Sequence, residues 1–132
     1  MDILLLISLQ KEKSHRILDQ ADEMVTLRHW DIAANRYYYA CYHMVQALFI
    51  KYGISTKTHD GCLSELGKHF ILTGKLDKKH GKFFGRKVQL RHKADYNSVA
   101  DVKETEIMEM IPLSKSFIAD VEALTDLSTE NR

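Results

Sequence analysis

The sequence is poor in the residues that interrupt helices. Its 132 residues include one proline and six glycines, and long stretches contain neither. A β-rich fold of this size would need many more turn residues between its strands. The scarcity therefore excludes a β sandwich or barrel and predicts an all-α protein. Because 45% of the residues are hydrophobic, one core can form, and we expect a single domain over residues 1–132 with an ordered core from about 3 to 126.

Cysteines and long apolar runs are also scarce. Cys41 and Cys62 are the only cysteines, which is too few for a disulfide scaffold and too widely spaced for a Cys-x-x-Cys motif. The apolar start Met1–Ile7 contains Asp2 and is cut short by Gln10–Lys13, so it fits neither a signal peptide nor a membrane span. These absences predict a cytoplasmic protein without a membrane partner.

The charges are unevenly distributed, although the formal net charge is only +1. Residues 75–93 contain eight Lys or Arg against one acid, and residues 95–132 contain nine acids against three basic residues. The basic segment can meet phosphates or an acidic protein. Two solvated faces of opposite charge are the alternative, and the sequence leaves both open.

The apolar spacing predicts five helices. They run over Ile3–Leu27, Ile32–Tyr52, Gly61–Leu72, a fourth helix ending near Tyr96, and a fifth that opens at Asp101. The expected N-caps are Asp31, Asp77 and Asp101, the last in a capping box with Glu104, and Gly53 should close the second helix. Pro112 should kink or split the fifth helix, because it lacks a backbone donor.

The second helix is apolar or aromatic nearly all the way round, except for one polar seam. At about 100° per residue, one arc collects Asn35, Arg36, Tyr39, His43 and Gln46. The functional interpretation is that this seam lines a groove for a nucleotide or RNA. The structural alternative is that its side chains form hydrogen bonds between helices or face a second copy of the chain. The opposite arc should be core: Tyr37, Tyr38, Cys41, Met44, Val45, Leu48 and Phe49.

The fourth helix places Phe84, Val88, Arg91 and Asp95 on one face. A buried arginine is costly unless it is paired, and Asp95 is the local candidate. The pair is therefore either a structural ion pair or part of a site. In the loop before the third helix, Thr58 or Asp60 can provide the cap, and His59 can either bond locally or contact a ligand.

Four sequence blocks together resemble the HEPN family. They are Ala34-Asn35-Arg36-Tyr37-Tyr38-Tyr39-Ala40, Lys57-Thr58-His59-Asp60-Gly61, Thr73-Gly74-Lys75-Leu76 and Leu90-Arg91-His92-Lys93-Ala94-Asp95-Tyr96. The first is similar to the Asn-Arg-x-Tyr-Tyr-Ala signature of one subgroup. The resemblance implies an antiparallel four-helix up-and-down bundle with an additional short helix. It also implies a homodimer and a minimal nucleotidyltransferase as partner.

In nucleolytic branches of that family, an Arg followed by four to six residues and a His cleaves RNA without metal. From Arg91 that window ends at residues 96–98, and none of these is His. Asp95 is a poor replacement because a carboxylate does not titrate near neutrality. Two other histidines can replace the missing one: His92 is adjacent to Arg91, and His43 lies on the neighbouring helix. The resemblance also implies that the Tyr two residues beyond the motif His can receive a nucleotidyl group from the partner, and Tyr96 lies near that position.

The leading hypothesis is a nucleotide- or nucleic-acid-binding HEPN module that partners a nucleotidyltransferase in a toxin–antitoxin-like system. The alternatives are a metal-independent ribonuclease and a non-catalytic structural adaptor. No cofactor or metal is expected, since the chain offers one Glu-x-x-His motif, Glu12–His15, where a di-iron bundle needs two. The candidate catalytic residues are Arg91, Asp95 and Tyr96, and the candidate nucleotide or RNA contacts are Asn35, Arg36, Tyr39, His43 and His92.

Overall fold

The structure, a computed structural model, describes residues 2–97 and 102–127, and the side chains of residues 2–89 and 102–127. It contains the α-helices α1 (Ile3–Thr26), α2 (Trp30–Tyr52), α3 (His59–Leu66), α4 (Lys78–Asn97) and α5 (Glu104–Thr125). A π-helical segment, Gly67–Ile71, continues α3. No strand occurs within the described ranges, and the all-α prediction is confirmed.

Side-chain contacts give the directions of the first two helices. His43 of α2 lies against Gln10 of α1, and Tyr37 lies against Asp22. Residues that come later in α2 therefore contact residues that come earlier in α1, so the two helices are antiparallel.

The last two helices are antiparallel by the same criterion. His80, at the start of α4, pairs with Asp120 near the end of α5, while Phe84 stacks on Phe117. In contrast, α5 runs parallel to α2, because Lys51 at the end of α2 donates to the Leu124 and Thr125 carbonyls at the end of α5, both at 3.2 Å. The long helices thus alternate in direction along the chain.

The core is built around α2. Every residue that the sequence placed on its apolar arc is buried, and this prediction is confirmed. Rings from three further elements complete the centre, at Phe70, Phe84 and Phe117, each at most 1% exposed. A helix packed on most of its sides can expose only a narrow polar strip, which is why the seam of α2 has a defined position.

The turn from α1 to α2 is tighter than the sequence suggested. Arg28 adopts a left-handed backbone with φ of 60°, and its N–H donates to the Val25 carbonyl at 3.0 Å. The His29 N–H donates to the Met24 carbonyl at 2.9 Å. These bonds form a Schellman motif, which usually has glycine at the left-handed position.

This turn moves the start of α2. The helix begins at Trp30, with His29 at the N-cap and no side-chain cap, so the prediction that Asp31 is the N-cap is wrong. Asp31 lies in the first turn, where its carboxylate accepts a 3.1 Å hydrogen bond from the Val102 N–H. The Asp31 carboxylate therefore holds the chain that enters α5, and α2 begins directly after the Schellman turn.

Three other helix ends follow the sequence closely. Gly53 closes α2 in a left-handed conformation with φ of 69°. Asp77 caps α4 by accepting from the Lys79 N–H at 2.9 Å. Thr58 caps α3 by accepting from the Gly61 N–H at 2.9 Å. Because Thr58 is the cap, α3 begins at His59, two residues earlier than predicted.

The fifth helix differs from the prediction at its start, and its proline does not split it. It begins at Glu104 with Lys103 as N-cap, so the predicted capping box is wrong; Asp101 itself lies outside the described residues. Pro112 is inside one continuous helix, and the predicted split does not occur. Pro112 lies on the exposed face, where water can hydrate the carbonyl that loses its donor.

Candidate functional site

The polar seam of α2 brings together three of the predicted binding residues. Arg36 donates to the Asn35 side-chain oxygen through Nη2 at 2.8 Å and through Nε at 3.2 Å. Its guanidinium carbon lies 5.6 Å from the centroid of the Tyr39 ring, within the range of a cation–π contact. Two of the five guanidinium N–H groups are thereby used, and within the described part of the chain the other three have no acceptor.

His43 lies one turn beyond Tyr39 and faces α1. Its Nδ1 is 2.8 Å from the Gln10 side-chain oxygen, so the hydrogen bond between helices that the sequence left as an alternative is present. Burial, with the positive charges of Lys13 and Arg36, lowers the His43 pKa to about 4. The imidazole is therefore neutral near pH 7, with Nδ1 as the donor to the amide oxygen. His43 can offer a ligand an acceptor nitrogen or a ring edge, but no positive charge.

Beside the seam lies a group of rings that we call the aromatic cluster. It consists of Tyr38, Tyr39, Tyr42, His43 and His59. The centroid of the His59 ring is 4.8 Å from that of Tyr42, 5.5 Å from Tyr38 and 6.0 Å from Tyr39. The Tyr38 hydroxyl and His59 Nδ1 share a hydrogen bond. Among the described residues, one polar contact and three ring contacts hold His59 at the centre of the cluster.

The local fold explains why His59 reaches α2. It is the first residue of α3, and the Thr58 cap fixes the direction in which this helix starts. At the other end of the seam, the Gln46 amide donates to Cys62 Sγ at 3.7 Å, so side chains of α3 contact α2 at both places. The sequence placed His59 in a capping loop and offered a ligand role only as an alternative; its membership of the cluster was not predicted.

The cluster rests on the core and extends to the surface. Tyr38 is 5% exposed and stacks on Phe84 with a centroid distance of 5.7 Å and an interplanar angle of 14°. Phe84 in turn stacks on Phe117 at 5.3 Å. The outer rings of Tyr39, Tyr42, His43 and His59 are half-buried. The core therefore supports these rings on their inner side, and each ring is partly exposed.

The predicted catalytic residues are on α4. The helix is continuous to Asn97, but the side chains of Arg91, His92, Asp95 and Tyr96 lie outside the described residues. The helical rise places position 91 two turns, about 10 Å, beyond Phe84. Because α4 is antiparallel to α2, this direction leads toward the amino end of α2, where Asn35 and Arg36 are located. These α4 positions remain predictions.

Two further features bear on the kind of site. Among the described side chains, no three His, Cys, Asp or Glu residues converge as metal ligands do. Within the same part of the chain, no helix combines the length and apolar character needed to cross a membrane.

The model of the HEPN domain family matches residues 7–124. The chain belongs to the HEPN family. Of its relatives, a UPF0332 protein of Thermotoga maritima is 29% identical over 121 residues, which cover 92% of each chain. Two proteins of Methanocaldococcus jannaschii bear the names "Putative toxin MJ0142" and "Putative toxin MJ0605". The first is 30% identical over 81% of this chain and 73% of its own length, and the second is 31% identical over 54% of each. In this HEPN chain, the seam and the aromatic cluster both fall inside the matched range.

Proposed function

We propose that this HEPN domain binds a nucleotide or RNA at the seam formed by Asn35, Arg36 and Tyr39. The observation that carries the proposal is the Arg36 guanidinium, which is fixed by Asn35 and Tyr39 while three of its N–H groups have no acceptor among the described side chains. A guanidinium presents paired donors that match the oxygens of a phosphate. Asn35 and Tyr39 hold it in place before a ligand arrives, which reduces the entropy that is lost on binding.

The names of two relatives support the biological setting that we propose. These names mark them as candidate toxins, and the family resemblance implies a minimal nucleotidyltransferase as partner. We propose that the domain acts as a cytoplasmic homodimer in a toxin–antitoxin-like pair. Arg91, His92, Asp95 and Tyr96 extend the site along α4 beyond the described side chains, with Arg91 as a second phosphate contact. Copurification with a nucleotidyltransferase encoded beside this gene tests the partnership.

The binding experiment is a titration of a labelled RNA of mixed sequence, followed by fluorescence anisotropy. Arg36→Ala should weaken binding about tenfold, since a charge-assisted contact contributes roughly 1.5 kcal/mol or more. It should also lower the salt dependence by about one phosphate contact. The matched control is Lys68→Ala, which removes one positive charge from an exposed side chain on the π-helical segment. Equal affinities for wild type and a folded Arg36→Ala variant would contradict the proposal.

The same samples address the ribonuclease alternative. Wild type, Arg91→Ala, His92→Ala and Lys68→Ala are incubated with the RNA in chelator, and the products are separated on a denaturing gel. A binding module leaves the RNA intact. Cleavage that disappears in the Arg91→Ala and His92→Ala variants, but persists in the Lys68→Ala control, would make the domain a ribonuclease with an altered motif.

A further inference from the structure

The outer face of α4 carries a row of cations that the seam of α2 does not use. We call this row the basic ridge; it consists of Lys78, Lys79, Lys82 and Arg86, and all four are exposed. We propose that the basic ridge is a docking surface for an acidic helix of a partner protein. The feature behind this inference is the juxtaposition, on one exposed helix face, of four cations that form no ion pair with a described residue.

Helical spacing places the ridge on the side of α4 that faces away from α2. Phe84 stacks on Tyr38 of α2, and Lys82 and Arg86 each lie about 160° around the helix axis from Phe84. Lys78, Lys82 and Arg86 follow one another at every fourth position, so they form a row about 12 Å long. The ridge is therefore a surface separate from the seam.

The charges of the ridge are not neutralised within the described part of the chain. The ion pairs of the described side chains join other residues. Asp77 is the only acid in residues 75–89, and its carboxylate accepts from the Lys79 backbone N–H as the cap of α4. A partner therefore meets a row of positive charge without having to displace a carboxylate of this chain.

The ridge also opposes the helix on which it lies. The first turn of α4 contains no acid, and Lys78 and Lys79 there are unfavourable beside the positive end of the helix dipole. Lys78 with Lys82, and Lys82 with Arg86, are like-charged pairs four positions apart, which destabilise a helix. Residues that break local rules in this way are expected at functional surfaces. An acidic helix lying on the ridge would offset both effects.

Carboxylates beside the ridge favour a protein partner over a nucleic acid. On α5, Asp120 pairs with His80 at 2.7 Å, and Glu106 and Glu109 lie close enough to Lys87 to interact with it electrostatically. All three carboxylates are exposed. A phosphate backbone along the ridge would run beside these like charges, which is unfavourable. A helix confines carboxylates at every fourth position to one face, so it can match the ridge and present other side chains to α5.

The probe is a labelled, alanine-rich helical peptide, about 20 residues long, with a glutamate at every fourth position. A second peptide has glutamine at those positions. Both are titrated by anisotropy against wild type and a ridge variant that combines Lys78→Gln, Lys82→Gln and Arg86→Gln. Wild type should bind the glutamate peptide only. The ridge variant should bind it about 3- to 100-fold more weakly, the range for loss of three exposed ion pairs.

Two controls accompany the titration. A control variant removes three other exposed cations and should bind the peptide like wild type: Lys13→Gln, Lys57→Gln and Lys68→Gln. Urea denaturation establishes that the ridge variant is folded, and it should be at least as stable as wild type because the like-charged pairs are gone. Binding of the glutamate peptide should weaken between about 20 and 150 mM salt, since exposed charges are screened.

Four other outcomes would overturn the inference. Wild type may not bind the glutamate peptide at low salt, or the ridge and control variants may lose affinity equally, which would indicate net charge alone. A ridge variant that loses affinity for labelled RNA but not for the peptide would make the ridge a phosphate surface. A ridge variant that becomes a monomer, while wild type is a dimer that ignores the peptide, would assign the ridge to a second copy of the chain. Failure of the proposed function is distinguishable, because RNA binding depends on Arg36 and peptide binding does not.

Discussion

The Tyr37 hydroxyl donates a 2.5 Å hydrogen bond to the Asp22 carboxylate, which connects the buried face of α2 with α1. The other oxygen of Asp22 is 3.1 Å from Lys115 Nζ on α5. One carboxylate therefore links three helices. The Tyr37 side chain is fully buried, and this burial, together with Asp22, raises its pKa above the ordinary tyrosine value.

Replacing Tyr37 with Phe should destabilise the protein. The change leaves the ring in the core but removes the donor to a carboxylate, and hydrogen bonds to charged groups contribute about 1.5–3 kcal/mol. Urea denaturation measures the free energy of unfolding. Lys115→Ala removes the exposed part of the same arrangement and should cost at most about 1 kcal/mol. An unchanged midpoint for Tyr37→Phe would show that water satisfies the Asp22 carboxylate equally well when the hydroxyl is absent.

His43 should make the protein less stable in mild acid. Its pKa is lowered to about 4 in the folded state from 6.5, so the unfolded chain binds the proton more tightly. The stabilising contribution of neutral His43 is complete above pH 6.5 and is lost as the pH falls toward the folded pKa. Because the ring is half-buried, solvent screening reduces the expected loss to about 1 kcal/mol at pH 5.

The measurement is the unfolding free energy of wild type and His43→Gln at pH 7 and pH 5. Glutamine can maintain a hydrogen bond to Gln10 but does not titrate. The variant should therefore lose less stability than wild type over this range. Parallel losses in the two proteins would mean that His43 ionises at its ordinary pKa.

Arg28→Gly should stabilise the turn between α1 and α2. A left-handed conformation costs a residue with a side chain about 1–2 kcal/mol, and glycine avoids this cost, although it adds entropy to the unfolded chain. We expect a net gain of about 0.5–1 kcal/mol in thermal unfolding. Arg28→Ala is the matched control, since it also removes the charge but keeps the strain, and it should give no gain. A gain for both variants would indicate charge rather than backbone strain.

Cys41 and Cys62 should not react with thiol reagents in the folded protein. Both are buried, and burial raises each thiol pKa to about 12, so little thiolate is present at pH 8. An aromatic disulfide reagent should release colour slowly from native protein and rapidly from two thiols in urea. Rapid reaction of one thiol without denaturant would reveal local opening around that cysteine.

The helices were largely predictable because their signals are local. Apolar periodicity located the core face of α2, Gly53 and Asp77 marked their helix ends, and the scarcity of proline and glycine indicated the all-α class. The starts of α2 and α5 were not predictable in this way. Asp31 has the residue type of an N-cap, but its carboxylate binds the Val102 N–H, a partner 71 residues away that periodicity does not reveal.

For the candidate site, the sequence by itself determined that Asn35, Arg36, Tyr39 and His43 share one strip of α2, since helical spacing alone places them there. Only the tertiary structure decided what the strip faces. The packing of α1 gave His43 a partner in Gln10, and the packing of α3 brought His59 among the tyrosines. Helix periodicity fixes the direction of a side chain around its own axis, whereas its neighbours depend on how separate helices pack against one another.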